Sequence, residues 1–237
     1  RGTMQAPGEV PGEAPEEGET PGIEALARLT GRGERSAVGT HGFLRGGVIV
    51  EGGKRESETV APLLVRAEVP EAWRVVVVCP GSGPDPDPDS APAPGAGLSG
   101  RGERAAFARM PPVPDHVTAE MCREVLLGLL PALKEGDVEA FGESLYQLQR
   151  KVGACFATEQ GGIYASSVHA EIVRALRDHG IRGVGQSSWG PALYAVAGDG
   201  DQAEAAAAMV RQRFNLGSGQ VWVTEPDNQG ARITAFP

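Results

Sequence analysis

Along this 237-residue chain, apolar positions fall into short patterned runs separated by stretches that have almost none. Ile23, Leu26, Ala27 and Leu29 recur at helical spacing in IEALARLT, and Gly31 and Gly33 stop that helix. GFLRGGVIVEGG reads as a strand centred on Val48, Ile49 and Val50, and LLVRAEV (63–69) alternates in part. WRVVVVCP (73–80) is a continuous β-branched run, the pattern of a strand covered on both faces. From Asp115 the period becomes helical. Val117, Met121, Val125, Leu129 and Leu133 share one stripe, with Thr118 as N-cap and Pro131 bending or closing the helix. Val138, Phe141, Leu145, Leu148 and Val152 form a second stripe after the cap Asp137; Val168, Ile172 and Leu176 form a third, ended by Gly180. A strand (ALYAVA) follows, then an alanine-rich helix opening near Asp201 with Glu204 three residues on. A strand pair, QVWVTE and ARITAF joined by PDNQG, completes the pattern. Strands and helices alternate without a long parallel series, so the fold class is α+β, an antiparallel sheet with helices on one face.

Composition marks the boundaries. Residues 1–22 hold five glutamates, four prolines and five glycines and cannot bury enough surface to offset their ordering, so they are expected to be a disordered acidic linker. PGSGPDPDPDSAPAPGAG (80–97) has too much proline for helix or ladder and reads as a flexible surface loop. The organisation expected is therefore a linker, the remnant of one α+β domain over 23–114, and a second α+β domain over 115–237. A net charge of −9 argues against nucleic acid as a partner, because neutralising phosphates needs clustered Lys and Arg. With no membrane-length apolar run or leader, the chain is expected to be soluble and cytoplasmic. Cys79, Cys122 and Cys155, widely spaced and without CxxC pairs, are expected to be reduced and structural. The first residue is Arg1 rather than Met, which suggests a fragment or processed product.

Four stretches can carry chemistry. GRGERSAVGTHGFLRGG (31–47) combines Arg32, Arg35 and Arg45 with Ser36, Thr40 and His41, and residues 31–55 carry a net charge of +3. It suits an anion, since arginine supplies planar donors and glycine permits close backbone approach; a solvated turn before the strand is the plainer alternative. GLSGRGERAAFARMPPVPDH (97–116) holds Arg101, Arg104 and Arg109 and reads equally as an anion site or a salt-bridged helix start. VGACFATEQGGIYASS (152–167) presents Glu159 and Gln160 at the end of a helix, where Glu159 is a general base, a magnesium ligand or simply an exposed carboxylate. GVGQSSWGP (183–191) places Gly185, Gln186, Ser187, Ser188, Trp189 and Gly190 between a helix and a strand. Read as a turn, it is either an anion nest of N–H and hydroxyl donors or a packing corner; it matches neither GxGxxG nor GxxxxGK[ST].

Taken together, GRGERSAVGTHGFLRGGVIVEGG, GLSGRGERAAFARMPP, TEQGG and GVGQSSWGPALYAV resemble the β-ribofuranosylaminobenzene 5′-phosphate synthase family, whose fold is that of the GHMP small-molecule kinases. The likeness runs from about Gly22 to the C-terminus. It implies a GHMP-kinase-like two-domain architecture, with an incomplete N-terminal α/β domain before a C-terminal helical and antiparallel-sheet domain. It also implies a transferase of tetrahydromethanopterin biosynthesis. Such an enzyme joins 5-phosphoribosyl 1-diphosphate to 4-aminobenzoate or 4-hydroxybenzoate, losing carbon dioxide and pyrophosphate with Mg2+, as a homodimer. On that resemblance Arg32 and Arg35 contact phosphate or carboxylate, with Ser36, Thr40, His41, Arg101 and Arg104 beside them. Gln160 and the stretch from Gly185 to Gly190 hold substrate, Trp189 faces the benzoate ring, and Glu159 and His41 are the acid–base candidates.

One family motif is missing. Members carry a phosphate loop of the form GLGSGTQ leading into a helix, and nothing in this chain matches it. The expectation is that the chain is the C-terminal portion of a longer polypeptide, its strands deprived of sheet neighbours. Two other functions stand beside the synthase: an ATP-dependent small-molecule kinase of the same fold, and a non-catalytic remnant whose helical domain dimerises.

Overall fold

A computed structural model describes residues 22–33, 35–81 and 100–232. The acidic linker (1–21), most of the proline-rich loop (82–97) and the ITAFP end of the ARITAF segment (233–237) lie outside the described residues. The chain divides into two compact units, one comprising residues 1–68 with 227–237 and the other residues 69–226.

The first unit is built from two short helices and a hairpin. Helix α1 (Ile23–Thr30) ends where Gly31 takes the left-handed conformation at φ 63°, as its glycine predicts. A second helix, α2 (Val38–Arg45), was not anticipated: Gly39 and Gly42 disguise it, yet Ser36 Oγ accepts the Val38 N–H at its start. Strands β1 (Val48–Glu51) and β2 (Leu63–Ala67) pair antiparallel, with Val48 opposite Ala67 and Val50 opposite Val65. Residues 227–232 return to this unit: the Gly47 and Ala231 N–H groups donate to the carbonyls of Asp227 and Phe43, both at 2.7 Å.

In the second unit β3 (Arg74–Val78), β4 (Gly183–Gln186), β5 (Leu193–Ala197) and β6 (Val221–Thr224) form an antiparallel sheet in the order β4-β5-β3-β6. The β-branched run of β3 is therefore an inner strand of the sheet that the sequence assigns to the later domain, paired on both sides rather than left with an open edge. Most of ARITAF, the expected partner of QVWVTE, lies outside the described residues. Strand β6 pairs with β3, and Asp227 belongs to the other unit.

Helices α7 (Ser167–Asp178) and α8 (Gly200–Phe214) close one face of this sheet. Ile172, Leu176, Val184, Leu193, Val76, Val78, Val221, Val210 and the small Ala203, Ala206 and Ala207 form a dry core there. Each fully buried branched side chain in it stabilises the fold by about 1.5–3 kcal/mol. Val168, expected on the α7 stripe, is exposed, because Ser166 rather than an apolar residue opens the helix. The cap of α8 is Asp199, whose Oδ1 accepts from Gln202 N, two residues before the expected Asp201 start.

The other face meets α6 (Val138–Gln160), capped as expected by Asp137. Here glycine is a packing requirement: a Cβ on Gly142 would stand 2.5 Å from the Gly183 N, and one on Gly185 2.6 Å from Gln149 Cγ. Before α6, helix α4 (Asp115–Arg123) continues through a π-helical turn (Glu124–Leu129) into α5 (Leu130–Glu135). Thr118 lies inside α4, whose cap position is Pro114, and Pro131 is accommodated at the start of α5 after the π turn. Helix α3 (Gly100–Arg109) completes the unit.

Candidate functional site

In the first unit, the arginine-rich loop leads into α2. Arg32, Arg35 and Ser36 are exposed, and Arg32 makes no ion pair among the described residues. The loop is held from behind. Lys54 Nζ donates to Gly33 O at 3.3 Å, the Ala37 N–H donates to Glu51 Oε2 at 2.7 Å, and Gly33 adopts φ 85° with Val60 against it. Thr40 and His41, on the inner side of α2, are buried. His41 Nε2 lies 3.0 Å from the carbonyl of Ala61. A carbonyl only accepts, so Nε2 donates to it, while Nδ1 is buried without a partner among the described residues. The loop thus presents exposed arginine and serine side chains beside a buried imidazole.

In the second unit, the glycine-rich stretch is half strand and half turn. Gly183–Gln186 is β4, so Gly185 is a ladder residue facing α6 and not part of a nest. The turn proper starts at Ser187, whose N–H donates to Ala192 O at 2.8 Å, while the Gly190 N–H donates to Ser187 O at 2.9 Å. Two of the N–H groups expected to face an anion are therefore spent inside the turn. Ser188 and Gly190 take positive φ, 52° and 80°, and the Gly190–Pro191 peptide is cis. Ser187 and Ser188 are exposed and keep their hydroxyls available.

Gln186 is the internal brace of this corner. It is 1% exposed; its Oε1 accepts from Ala165 N at 2.8 Å, and its Nε2 donates to Ser188 O at 3.0 Å and Gln160 Oε1 at 3.4 Å. Gln160 donates in turn to Ile163 O at 2.9 Å. His169, missed in the sequence, fixes the far side: its Nε2 lies 3.0 Å from Pro191 O and its Nδ1 2.7 Å from Ser166 Oγ. Burial holds its imidazole below the usual histidine range, the Pro191 carbonyl opposing that in part. The only sequence signal for it was a serine three residues before a histidine at a helix start.

Trp189 does not face solvent. It is 2% exposed, stacked on Phe156 with ring centroids 4.2 Å apart at 11°, and met edge-on by Phe107 at 5.3 Å. Glu159, in the last turn of α6, is not a free carboxylate: Arg109 at the end of α3 donates to its Oε2 through Nε at 3.1 Å and through Nη2 more closely. That hydrogen bond and the carboxylate's charge raise the Arg109 guanidinium above its already high ordinary value. Arg104 is exposed on α3, and the side chain of Arg101 lies outside the described residues. Burial pushes the Tyr164 phenol up to about 12 and moves Tyr194 upward as well, so neither is a base at neutral pH.

Among the described residues no three His, Cys, Asp or Glu side chains gather into a cation site, and Glu159 is already engaged. The described residues therefore do not build a magnesium site of their own. The three cysteines are unbridged, and no helix among the described residues is long and apolar enough to cross a membrane.

Residues 129–216, from the π turn through α8, match the family described as GHMP kinases C terminal. The fold is GHMP-type. Solved structures agree: a putative homoserine kinase from Listeria monocytogenes superposes with TM-score 0.56 at 14% identity, covering 91% of this chain and 60% of that one. The mevalonate diphosphate decarboxylase from Enterococcus faecalis gives 0.50 at 14%, covering 91% and 68%. In sequence, the GHMP-type chain is 29% identical to the beta-ribofuranosylphenol 5'-phosphate synthase of Methanothermobacter thermautotrophicus, over 87% of its own length and 60% of that enzyme's. It is 25% identical to the enzyme of the same name in Methanocaldococcus jannaschii, over 88% and 61%. The chain thus spans about 60% of the length of these two curated relatives. The structure places Arg32, Arg35, Ser36, Thr40 and His41 in one unit, and Gln160, Gly185, Gln186, Ser187, Ser188, Trp189 and Glu159 in the other.

Proposed function

We propose that this protein is a synthase of the beta-ribofuranosylphenol 5'-phosphate type. It would transfer the phosphoribosyl group of 5-phosphoribosyl 1-diphosphate to the ring of 4-hydroxybenzoate, with 4-aminobenzoate as the alternative acceptor. The relatives' name speaks for the hydroxyl-bearing ring, because loss of carbon dioxide from that acid leaves a phenol. In the reaction the bond from C1 of the ribose to the diphosphate oxygen breaks, releasing pyrophosphate. The ring carbon that bears the carboxylate forms the new bond to C1, and the carboxylate leaves as carbon dioxide, its bonding pair remaining with the ring.

The single observation that carries this reading is the exposure of Arg32 and Arg35 beside Gly33 and Ala37, whose backbone groups are held by Lys54 and Glu51. Arg32 and Arg35 would hold phosphate oxygens, where each charged hydrogen bond contributes about 1.5–3 kcal/mol. Fixed positive donors also stabilise the departing pyrophosphate without reorganising. His41, whose Nδ1 has no partner among the described residues, would be the group that takes a proton from the phenol of the acceptor. Mg2+ would accompany the diphosphate, its charge neutralised chiefly by substrate oxygens, since the described side chains build no site for it.

The test uses protein expressed from the complete reading frame, mixed with phosphoribosyl diphosphate and carboxyl-labelled 4-hydroxybenzoate. Carbon dioxide and pyrophosphate released in equal amounts support the reading. No product above a heat-treated control contradicts it, and ADP formation from ATP instead would make the protein a kinase. Assembly as a homodimer is part of the same reading and is measured by sedimentation equilibrium.

A further inference from the structure

Beneath the Ser187–Pro191 corner, three aromatic rings meet. Phe107 stands edge-on to both members of the Trp189–Phe156 stack, at 5.3 Å and 71° to one and 5.8 Å and 80° to the other. It is carried by α3, and two residues on, Arg109 reaches over to Glu159. The ion pair is lopsided: the Arg109 side chain is 61% exposed and that of Glu159 16%. One feature of the cluster is unfinished. The indole Nε1–H of Trp189 is buried and has no acceptor among the described residues, a costly condition that apolar packing alone does not relieve.

We propose that Phe107 and Arg109 together occupy the place of an aromatic carboxylic acid, which binds by taking over the ring position of Phe107 and the guanidinium of Arg109. The acid's ring would sit edge-on to Trp189 and Phe156, and its carboxylate would replace that of Glu159 on Arg109. A ring substituent bearing lone pairs would supply the acceptor that the Trp189 Nε1–H lacks. The Phe107 ring leaves the cluster in the exchange and Glu159 is released from Arg109. The protein thereby carries an internal competitor of its ligand, so wild-type affinity is lower than the slot itself can give. The choice of an aromatic acid as ligand class rests on the synthase reading above; the occupied slot does not.

Isothermal titration with 4-hydroxybenzoate and with phenol, in the absence of phosphoribosyl diphosphate, tests this. Wild-type protein is expected to prefer the acid. Phe107→Ala should bind 4-hydroxybenzoate at least ten-fold more tightly than wild type, and Arg109→Gln should lose the preference for the acid over phenol. Should Phe107→Ala unfold, Phe107→Leu keeps an apolar side chain without the ring and should shift affinity in the same direction by a smaller factor. The proposal is overturned if wild type does not distinguish the acid from phenol, if Arg109→Gln still does, or if removing the Phe107 ring in a folded variant leaves affinity unchanged. Binding with these shifts but no turnover would sink the synthase reading and leave the slot standing. Turnover with affinities indifferent to Phe107 and Arg109 would do the reverse.

Discussion

The two glycine-rich stretches of this chain look alike as strings and do opposite things. In 183–191 glycine allows α6 to lie on β4 and lets a tight turn close, and the two large side chains between are consumed by packing: Gln186 is a brace and Trp189 an aromatic core residue. In 31–47 glycine ends one helix and turns the chain into the next, and the side chains between, Arg32 and Arg35, stand in solvent. What separates them is not how much glycine they contain but whether a helix lies across the backbone. Under α6, Gln186 and Trp189 pack into structure, whereas Arg32 and Arg35 remain exposed.

That contrast can be broken by mutation, most sharply at the aromatic residues. Trp189→Ala should destabilise the protein by about 3–5 kcal/mol in urea unfolding. Phe43→Ala, on α2 and 54% exposed, should change it by no more than about 0.5 kcal/mol. If the two costs are similar, the corner is not the packed element described. Among glycines, a Cβ at position 142 has the backbone of Gly183 in its way, so Gly142→Ala should cost about 1–3 kcal/mol. Gly39, in the first turn of α2 with nothing within 4 Å, should instead gain up to about 0.5 kcal/mol on replacement by alanine, read as a rise in melting temperature. Gln186→Ala strands the Ala165 N–H and should cost about 1–3 kcal/mol.

The smallest expected effect is a pH dependence. Burial lowers the folded-state pKa of His169 from its ordinary 6.5, so the unfolded chain takes up the proton first. The stability associated with the neutral ring is complete above about pH 6.5 and is lost as the pH falls from there towards the depressed folded value. His169→Gln should therefore show a shallower loss of stability between pH 7 and pH 5 than wild type. An identical slope would mean that His169 does not titrate on unfolding.

Much of the architecture was legible in the chain. The stripes through Phe141, Ile172 and Leu176 and the β-branched run of β3 report burial directly, because apolar periodicity is what the core selects. Helix α2 was not legible, since two glycines in eight residues outweigh its pattern, and neither was β4, where Gly183 and Gly185 are small only because α6 passes over them. The cap of α8 was displaced because Asp199 and Asp201 both satisfy the same local rule, whereas α4 opens at Pro114 with no side-chain cap at all. At the candidate site, the arginines of 31–35 were readable because exposure leaves charge intact. The engagement of Glu159 by Arg109 was not, since fifty positions separate them in sequence. The burial of Trp189 depends on Phe107 and Phe156, each more than thirty positions away, and no local string reports it.

The measurement closest to the central claim is isothermal titration of 5-phosphoribosyl 1-diphosphate into wild-type protein and into an Arg32→Gln/Arg35→Gln double variant. The account predicts saturable binding by the wild type and affinity reduced at least ten-fold, about 1.4 kcal/mol, in the variant, with an unchanged unfolding midpoint. Equal binding by the two proteins would contradict it.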